Sequence, residues 1–175
     1  MKRTNKTMTY RLRATDIAGV LQLVDDSADV QLPSIDKMTD TIKGAGILGE
    51  IDMPSLGQIA SMTTTVNFKA DNPAYATLAR PGFIKIELVW VADVIDTGAM
   101  QTKIQQHKAY LLVINKKYNP GKIEVGATTD GSSEFETLSY RKVVDGIEVL
   151  NIDKLNSVFI VSGYDYMAQV AALMV

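Results

Sequence analysis

Two stretches of the chain alternate apolar and polar residues with the period of a half-buried β-strand. In residues 61–69 the side chains of Met62, Val66 and Phe68 alternate with threonine and asparagine. In residues 84–95 the alternation is longer, with isoleucine, leucine and tryptophan on one face and lysine, glutamate and aspartate on the other. Because successive side chains of a strand point to opposite faces, we predict a strand over each stretch with its even positions in the core.

Three further stretches have strand-like composition. Residues 108–118 are rich in aliphatic and β-branched side chains and end at an Asn-Pro-Gly turn. Residues 123–127 are a candidate continuation of the sheet, and residues 158–161 form a short apolar run. These signals predict a mainly β protein.

Two short helices are predicted beside the strands. Asn72 can cap a helix whose first residue is Pro73, since proline fits the first helical position. Near the C terminus, Asp165 can cap a last helix that carries Met167 and Val170.

Asp145 and Gly146 separate two strand-like runs and predict a tight hairpin. The pair suits a type I′ turn, which needs positive φ at both central residues. Counting back from this turn pairs Tyr140 with Asn151 and Lys142 with Val149, and neither face is then cleanly apolar or polar. We therefore predict that both faces make contacts, with Tyr140 and Val149 at a subunit interface.

Residues 32–57 resemble a long excursion from the sheet. They combine a possible helical turn with glycines and with apolar residues that have no evident partner. Long loops in compact domains are usually functional or disordered, and the apolar content argues against disorder. The pattern favours contact with another subunit through Ile42, Ile47, Leu48 and Ile51.

Composition narrows the class of protein. The length of 175 residues predicts a single domain, 1–175. The net charge of −2 lacks the basic excess of a nucleic-acid-binding protein. No cysteine is present, which excludes disulfides and thiolate metal sites. No apolar run approaches the length of a membrane span.

Candidate chemistry is sparse. His107 is the sole histidine and stands in a polar stretch, which predicts a solvated loop residue and not a general base. Asp25, Asp26 and Asp29 lack the ligand spacing of a calcium loop and are interpreted as a solvated turn. We expect no catalytic site, no cofactor and no metal, and hence no enzymatic activity.

The C-terminal third contains a characteristic spacing of these residues: Tyr140, Asp145, Gly146, Glu148, Asn151, Ile152, Asp153, Asn156, Gly163 and Asp165. This spacing resembles the major tail tube protein family of P2-like contractile phages. Weaker similarity extends upstream to Leu32, and Ser162 departs from the asparagine usual in the family.

The resemblance implies a β-sandwich or barrel-like fold of two packed sheets with short flanking helices. It also implies hexameric rings that stack around a lumen for DNA passage, with tail sheath, baseplate or tube initiator, and tape measure proteins as partners. The expected location is the virion tail, assembled in the host bacterial cytoplasm. The slightly acidic chain favours a lumen that repels phosphates.

Two alternatives remain open at this point. A tube subunit of a phage-tail-like bacteriocin or secretion-system particle would share the architecture. A monomeric β-sandwich binding module belongs to a different class and predicts a single-subunit mass in solution.

Overall fold

The computed structural model describes residues 2–16, 19, 21–24 and 27–175. These residues form mainly antiparallel strands, together with two short helices. The elements are β1 (Lys2–Thr15), β2 (Leu21–Val24), β3 (Ser27–Gln31), β4 (Lys37–Ile42), β5 (Ile51–Ile59), β6 (Thr63–Phe68), α1 (Pro73–Thr77), β7 (Phe83–Asp96), β8 (Gln101–Asn119), β9 (Gly131–Val144), β10 (Ile147–Asp153), β11 (Val158–Val161), β12 (Tyr164–Asp165) and α2 (Ala168–Leu173).

Ten strands form one large antiparallel sheet. Its main path runs β12-β11-β10-β9-β8-β7-β1-β2, and β6 with β3 joins it as a branch. The branch point is β9, which pairs with β6 through Gly131–Glu136 and with β10 through the segment that follows. The remaining two strands, β4 and β5, form a separate small sheet. The mainly β class with two short helices is thus confirmed.

The core lies on one face of the large sheet. Buried apolar side chains from β1, β6, β7, β8, β9, β10 and α1 belong to one cluster. Tyr75 of α1 stacks on Phe68 of β6 with ring centroids 4.1 Å apart. Because one cluster joins β1 to the branch strand β6, with β7, β8 and β9 between them in the sheet, the sheet must curve around it. Its centre is formed by Leu12, Val66, Phe68, Tyr75, Ile86, Leu111, Val113 and Phe135.

The opposite face of the large sheet points away from this core, and we call it the open face. Cross-strand partners share a face, so the row Arg13, Glu87, Tyr110 and Arg141 lies on it. Lys108, from the next row, lies there too. The long strands therefore alternate apolar residues toward the core with polar and charged residues toward the open face.

The strongest sequence patterns are confirmed. In β6 the even positions are buried, and in β7 Ile84, Ile86 and Leu88 are buried as well. Asn72 caps α1, its side chain accepting a hydrogen bond from the backbone of Ala74 at 3.0 Å. The strand predicted over 158–161 has those bounds as β11.

The predicted hairpin register is wrong beyond the two pairs nearest the turn. Val144 pairs with Ile147 and Val143 with Glu148, but a β-bulge at Val149 shifts the rest by one residue. Tyr140 then pairs with Ile152 and Lys142 with Leu150. Tyr140 is 4% exposed and Ile152 is 1% exposed, so the shift places both in the core. A one-residue slip exchanges the faces of a strand, and burial of two large side chains decides the register.

Three other sequence predictions are corrected. Residues 123–127 do not resume the sheet, because residues 120–130 form a loop on which Ile123 and Val125 are exposed. The possible helical turn near Met38 is instead strand β4. Asp165 does not cap α2 directly: its carboxylate accepts the backbone N–H of Met167, the residue before the helix, at 2.9 Å.

A buried hydroxyl pair gives a direct test of the core packing. Thr64 and Thr137 are 0% exposed, and their hydroxyl oxygens lie 2.6 Å apart. Thr137→Val leaves the Thr64 hydroxyl without this partner, and we expect a loss of about 1–3 kcal/mol in the free energy of unfolding. Urea denaturation followed through the fluorescence of Trp90 measures it.

The double variant Thr64→Val/Thr137→Val is the matched control. It removes both polar groups and keeps the side-chain shapes, so its loss should be smaller than the sum of the two single losses. Additive losses would mean that the two hydroxyls do not interact.

Candidate assembly surface

The hairpin of β4 and β5 exposes a set of apolar side chains. Ile42 and Ile51 are direct cross-strand partners, exposed by 42% and 48%, and Leu48 at the tip is fully exposed. A two-stranded hairpin alone is marginal in water, and clustered exposed apolar side chains mark interaction sites. The hairpin therefore has the character of a surface that needs a partner. Further exposed apolar residues on it are Met38, Met53 and Leu56.

Polar contacts hold the hairpin together along its length. Thr41 donates its hydroxyl hydrogen to the Asp52 carboxylate at 2.8 Å across the two strands. Lys43 and Glu50 form an exposed ion pair at 3.5 Å near the tip. An exposed ion pair of this kind adds little stability to the hairpin. Packing of another protein surface against its apolar side chains would stabilise the hairpin more.

The base of the hairpin is fixed to the large sheet by a polar cluster around Glu136 of β9. Ser61 donates to the Glu136 carboxylate at 2.5 Å, and Lys154 lies 3.5 Å from it. Lys154 also donates to the backbone oxygen of Ala60 at 2.8 Å. Burial raises the pKa of Glu136, but the Ser61 hydrogen bond and the charges of Lys154 and Lys116 outweigh it and lower that pKa overall. The carboxylate therefore stays ionised and anchors the segment after β5.

Asp145 and Gly146 form the turn that the sequence predicts. Their φ angles are +49° and +82°, as a type I′ turn requires. The Asp145 carboxylate accepts the backbone N–H of Gln106 and the side-chain amide of Gln105, both at 3.0 Å. This residue thus fastens the β9–β10 turn to β8, which is a structural role.

Other residues of the C-terminal pattern build further turns. The Asp153 carboxylate accepts the backbone N–H groups of Leu155 and Asn156, and the Asn156 amide at 2.7 Å. Ser162 and Gly163 have φ of +50° and +83° and turn β11 into β12. Asn151 instead lies within β10 and pairs with Arg141 on the open face. The family pattern therefore combines residues that form tight turns with residues of the strands between them.

The structure separates the interface residues predicted from sequence into two groups. Ile42, Leu48 and Ile51 are exposed and lie together on the hairpin, and Ile47 beside them is half-buried. Tyr140 lies in the core, and Val149 is half-buried at the bulge. Of the interface residues predicted from sequence, only the hairpin group offers an exposed apolar surface to a neighbour.

The ends of the large sheet are a feature that the sequence analysis missed. β1 pairs with β7 along its length, but β2 covers its outer edge only from Leu12 to Thr15. Among the described residues, no strand pairs with the outer edge from Lys2 to Thr9. The sequence pattern that could have located β1 is the alternation of Tyr10, Leu12 and Ala14 with arginines. An open edge of this length is a template for pairing with another chain.

His107 is not the solvated loop residue that its polar neighbours predict. It lies within β8, is 5% exposed, and stacks on Trp90 with ring centroids 5.0 Å apart. Neither ring nitrogen has a hydrogen-bond partner within the described part of the chain. Desolvation, and then the charge of Lys142, lower the pKa of His107, and the Asp145 carboxylate opposes them. The ring is a neutral packing element.

Other candidate chemistry is limited. Asp25 and Asp26 lie outside the described residues, and Asp29 accepts a hydrogen bond from the Asn67 amide at 2.6 Å. No group of three potential metal ligands occurs within residues that the structure describes. Over the same residues, no helix has the length and apolar character to cross a membrane.

The depressed pKa of His107 predicts a pH-dependent stability. The folded state disfavours the charged ring, so this contribution is present above the ordinary pKa of 6.5 and is lost as the pH falls through the folded-state pKa. His107→Phe keeps a flat ring against Trp90 and removes the titration. Urea midpoints of both proteins between about pH 8 and pH 5 measure the effect.

The variant should lose less stability on acidification than the parent chain. Carboxylates elsewhere titrate in both proteins and cancel in the comparison. Equal losses would show that His107 is not held neutral by its surroundings.

Comparison with known proteins identifies the family. The family model described as phage tail tube protein FII matches residues 18–174. No curated protein matches the sequence. A chain in the cryo-EM structure of the anti-feeding prophage baseplate, described as 6-fold symmetrised, has a similar fold. It superimposes with a TM-score of 0.57 and 7% sequence identity, over 82% of this chain and 97% of that one. The chain thus belongs to the phage tail tube family, as a structural component of a phage tail.

Proposed function

We propose that the protein forms hexameric rings that stack into the inner tube of a contractile phage tail, around a lumen through which DNA passes. The observation that carries this proposal is the open outer edge of β1 on a sheet of ten strands. Such an edge is an aggregation hazard unless a neighbour covers it, and closure of several copies into a ring covers every edge. The sixfold symmetry named for the similar baseplate supports six copies.

The hairpin of β4 and β5 supplies the second set of contacts. Its apolar side chains are exposed on a small sheet of their own, while its base is anchored at Glu136. An arm with a rigid base and an apolar tip can reach a neighbouring subunit or the next ring. Ile42, Ile47, Leu48 and Ile51 are its proposed anchors, since buried apolar residues dominate interface energetics.

The open face of the large sheet is the proposed lining of the lumen. Its charges are arranged in neighbouring pairs of opposite sign: Arg13 lies 3.9 Å from Glu87, and Arg141 forms an ion pair with Glu148. The described face thus carries both signs and is not the wholly acidic surface that the net charge suggested. Arginines that face carboxylates attract phosphates less, which favours sliding of DNA without tight binding.

The proposed partners follow from this assembly. Tail sheath would surround the tube, a baseplate or tube initiator would start it, and a tape measure protein would occupy it during growth. The location is the virion tail, after assembly in the host bacterial cytoplasm. We propose a purely structural role, without catalysis and without a cofactor.

A tube subunit of a phage-tail-like particle is the second candidate. The fold similarity to a chain of the anti-feeding prophage baseplate favours it. Particles purified with filled heads would support the phage, and headless particles would support the alternative. A monomeric binding module predicts a single-subunit mass, which sizing with light scattering would detect.

Charge placed at the hairpin tip should block tube formation. Ile47→Asp/Leu48→Asp puts two carboxylates where the proposal buries apolar side chains, and desolvating them is costly. Leu48 is fully exposed within the subunit, so we expect a folded, soluble protein. Negative-stain microscopy should show no tubes where the parent chain forms them.

Ile47→Val/Leu48→Met is the matched control at the same two positions. It keeps apolar side chains of similar size and should form normal tubes. Normal tubes from the aspartate variant would remove the hairpin from the assembly contacts.

A further inference from the structure

The centre of the open face is net basic. Three successive cross-strand rows run across it from β1 to β10, and their charged residues are mostly cations. The chain as a whole has a net charge of −2. Positive charge is therefore concentrated on the face that the proposed ring turns toward its lumen. The cations of these rows are Arg11, Arg13, Lys85, Lys108 and Arg141, and the carboxylates are Glu87, Glu148 and Asp153.

A cleft on this face brings three of the cations together. It has a volume of about 370 Å³ and lies over β1, β7 and β8. Glu87 is the carboxylate in its lining, so the positive charges outnumber the negative charge there. We call it the basic cleft, and its polar lining consists of Thr9, Arg11, Arg13, Glu87, Gln106 and Lys108.

Arg13 has hydrogen-bond donors that the protein does not use. Its Nη1 atom lies 3.9 Å from the Glu87 carboxylate, which is an ion-pair distance but too long for a hydrogen bond. Its Nε atom is buried and has no hydrogen-bond partner among the described residues. A buried donor without an acceptor is costly, so an anion that accepted a hydrogen bond from Arg13 would be stabilised in this cleft.

Lys108 is not neutralised by a neighbour either. Its cross-strand partners are Val89 and Val143, and it forms no ion pair within the described part of the chain. Glu148 is the carboxylate at the far end of this row, and Arg141 pairs with it. The ammonium group of Lys108 thus remains available to an anion in the basic cleft.

We infer that the basic cleft contacts the backbone phosphates of duplex DNA. This inference rests on the proposed function, which places the open face around the lumen. Arginine and lysine are the side chains that contact phosphates without reading the base sequence. Duplex DNA carries phosphates around its whole circumference, so the clefts of several copies in one ring can bind it at once. An acidic protein segment in the lumen would meet the clefts on one side only, and the geometry therefore favours DNA.

Glu87 keeps this contact weak. Its carboxylate lies beside the Arg13 guanidinium and competes with a phosphate for the same positive charge. Phosphate contacts of this sequence-independent kind let proteins slide along DNA. The cleft therefore guides the DNA along the tube and does not hold it at one position.

Removing two cations of the cleft should weaken DNA binding. Tubes of the parent chain and of Arg13→Gln/Lys108→Gln are mixed at low salt with a short fluorescein-labelled DNA duplex and then pelleted. The variant should bind the duplex several-fold more weakly. Its plot of log association constant against log salt concentration should be shallower by about two, since each lost phosphate contact removes roughly 0.9 from the slope.

Glu87→Gln should have the opposite effect. It removes the competing carboxylate and keeps the side-chain shape, so we expect several-fold tighter binding of the same duplex. Misfolding does not produce such a gain, and this variant therefore tests the inference even if the double variant fails to fold or to form tubes.

Lys69→Gln/Lys122→Gln is the charge-matched control. It removes two positive charges from exposed residues outside the open face, one directly after β6 and one in the loop 120–130. Its tubes should bind the duplex as tightly as the parent tubes do. Equal weakening by this variant would show that net charge, and not the basic cleft, determines binding, and would overturn the inference.

Two further results would overturn the inference while leaving the tube itself standing. One is a set of parent tubes that leave the duplex in the supernatant. The other is retention of poly-glutamate, but not of the duplex, which would indicate an acidic protein segment as the occupant. A parent chain that forms no tubes in negative-stain microscopy would instead overturn the proposed function.

Discussion

The structure depends on backbone hydrogen bonding at the ends of one large antiparallel sheet. Strands β7 and β8 pair with each other along their length, whereas among the described residues β2 pairs with the outer edge of β1 at Leu12–Thr15 and no strand covers that edge from Lys2 to Thr9. Such edges pair with whatever strand is available, and natural proteins blunt, cover or use them. In the proposed ring, a strand of the neighbouring copy would cover this edge of β1.

The rest of the subunit holds that sheet in a fixed shape. One core joins β1 to β6 and imposes the curvature, while Asp145, Asp153 and the Ser162 turn set the ends of the last strands. The cluster at Glu136 anchors the base of the hairpin to the same sheet. In the proposed stack of rings, subunits need lateral contacts within a ring and axial contacts between rings. The large sheet and the exposed hairpin of β4 and β5 are two separate surfaces that can supply these contacts.

The sequence predicts those parts of the fold that depend on local pattern. Alternation located β6 and β7, and Asp145 with Gly146 located the hairpin, because these signals belong to single strands and turns. The bulge at Val149 was not predictable locally, since burial of Tyr140 and Ile152 decides it. His107 was misplaced because its neighbours along the chain are polar, whereas stacking on Trp90 across the sheet buries it. In the candidate assembly surface, the apolar hairpin residues were predicted because they have no evident partner in the sequence pattern. The open edge of β1 could not be predicted in this way, because it depends on the order of the strands in the sheet.

A cryo-EM reconstruction of the assembled tube is the most direct test of the proposed assembly. We expect closed rings of six copies in which the large sheet continues across each subunit boundary, with the outer edge of β1 beside a strand of the next copy. Rings whose subunits touch only through loops, with that edge of β1 facing solvent, would contradict it.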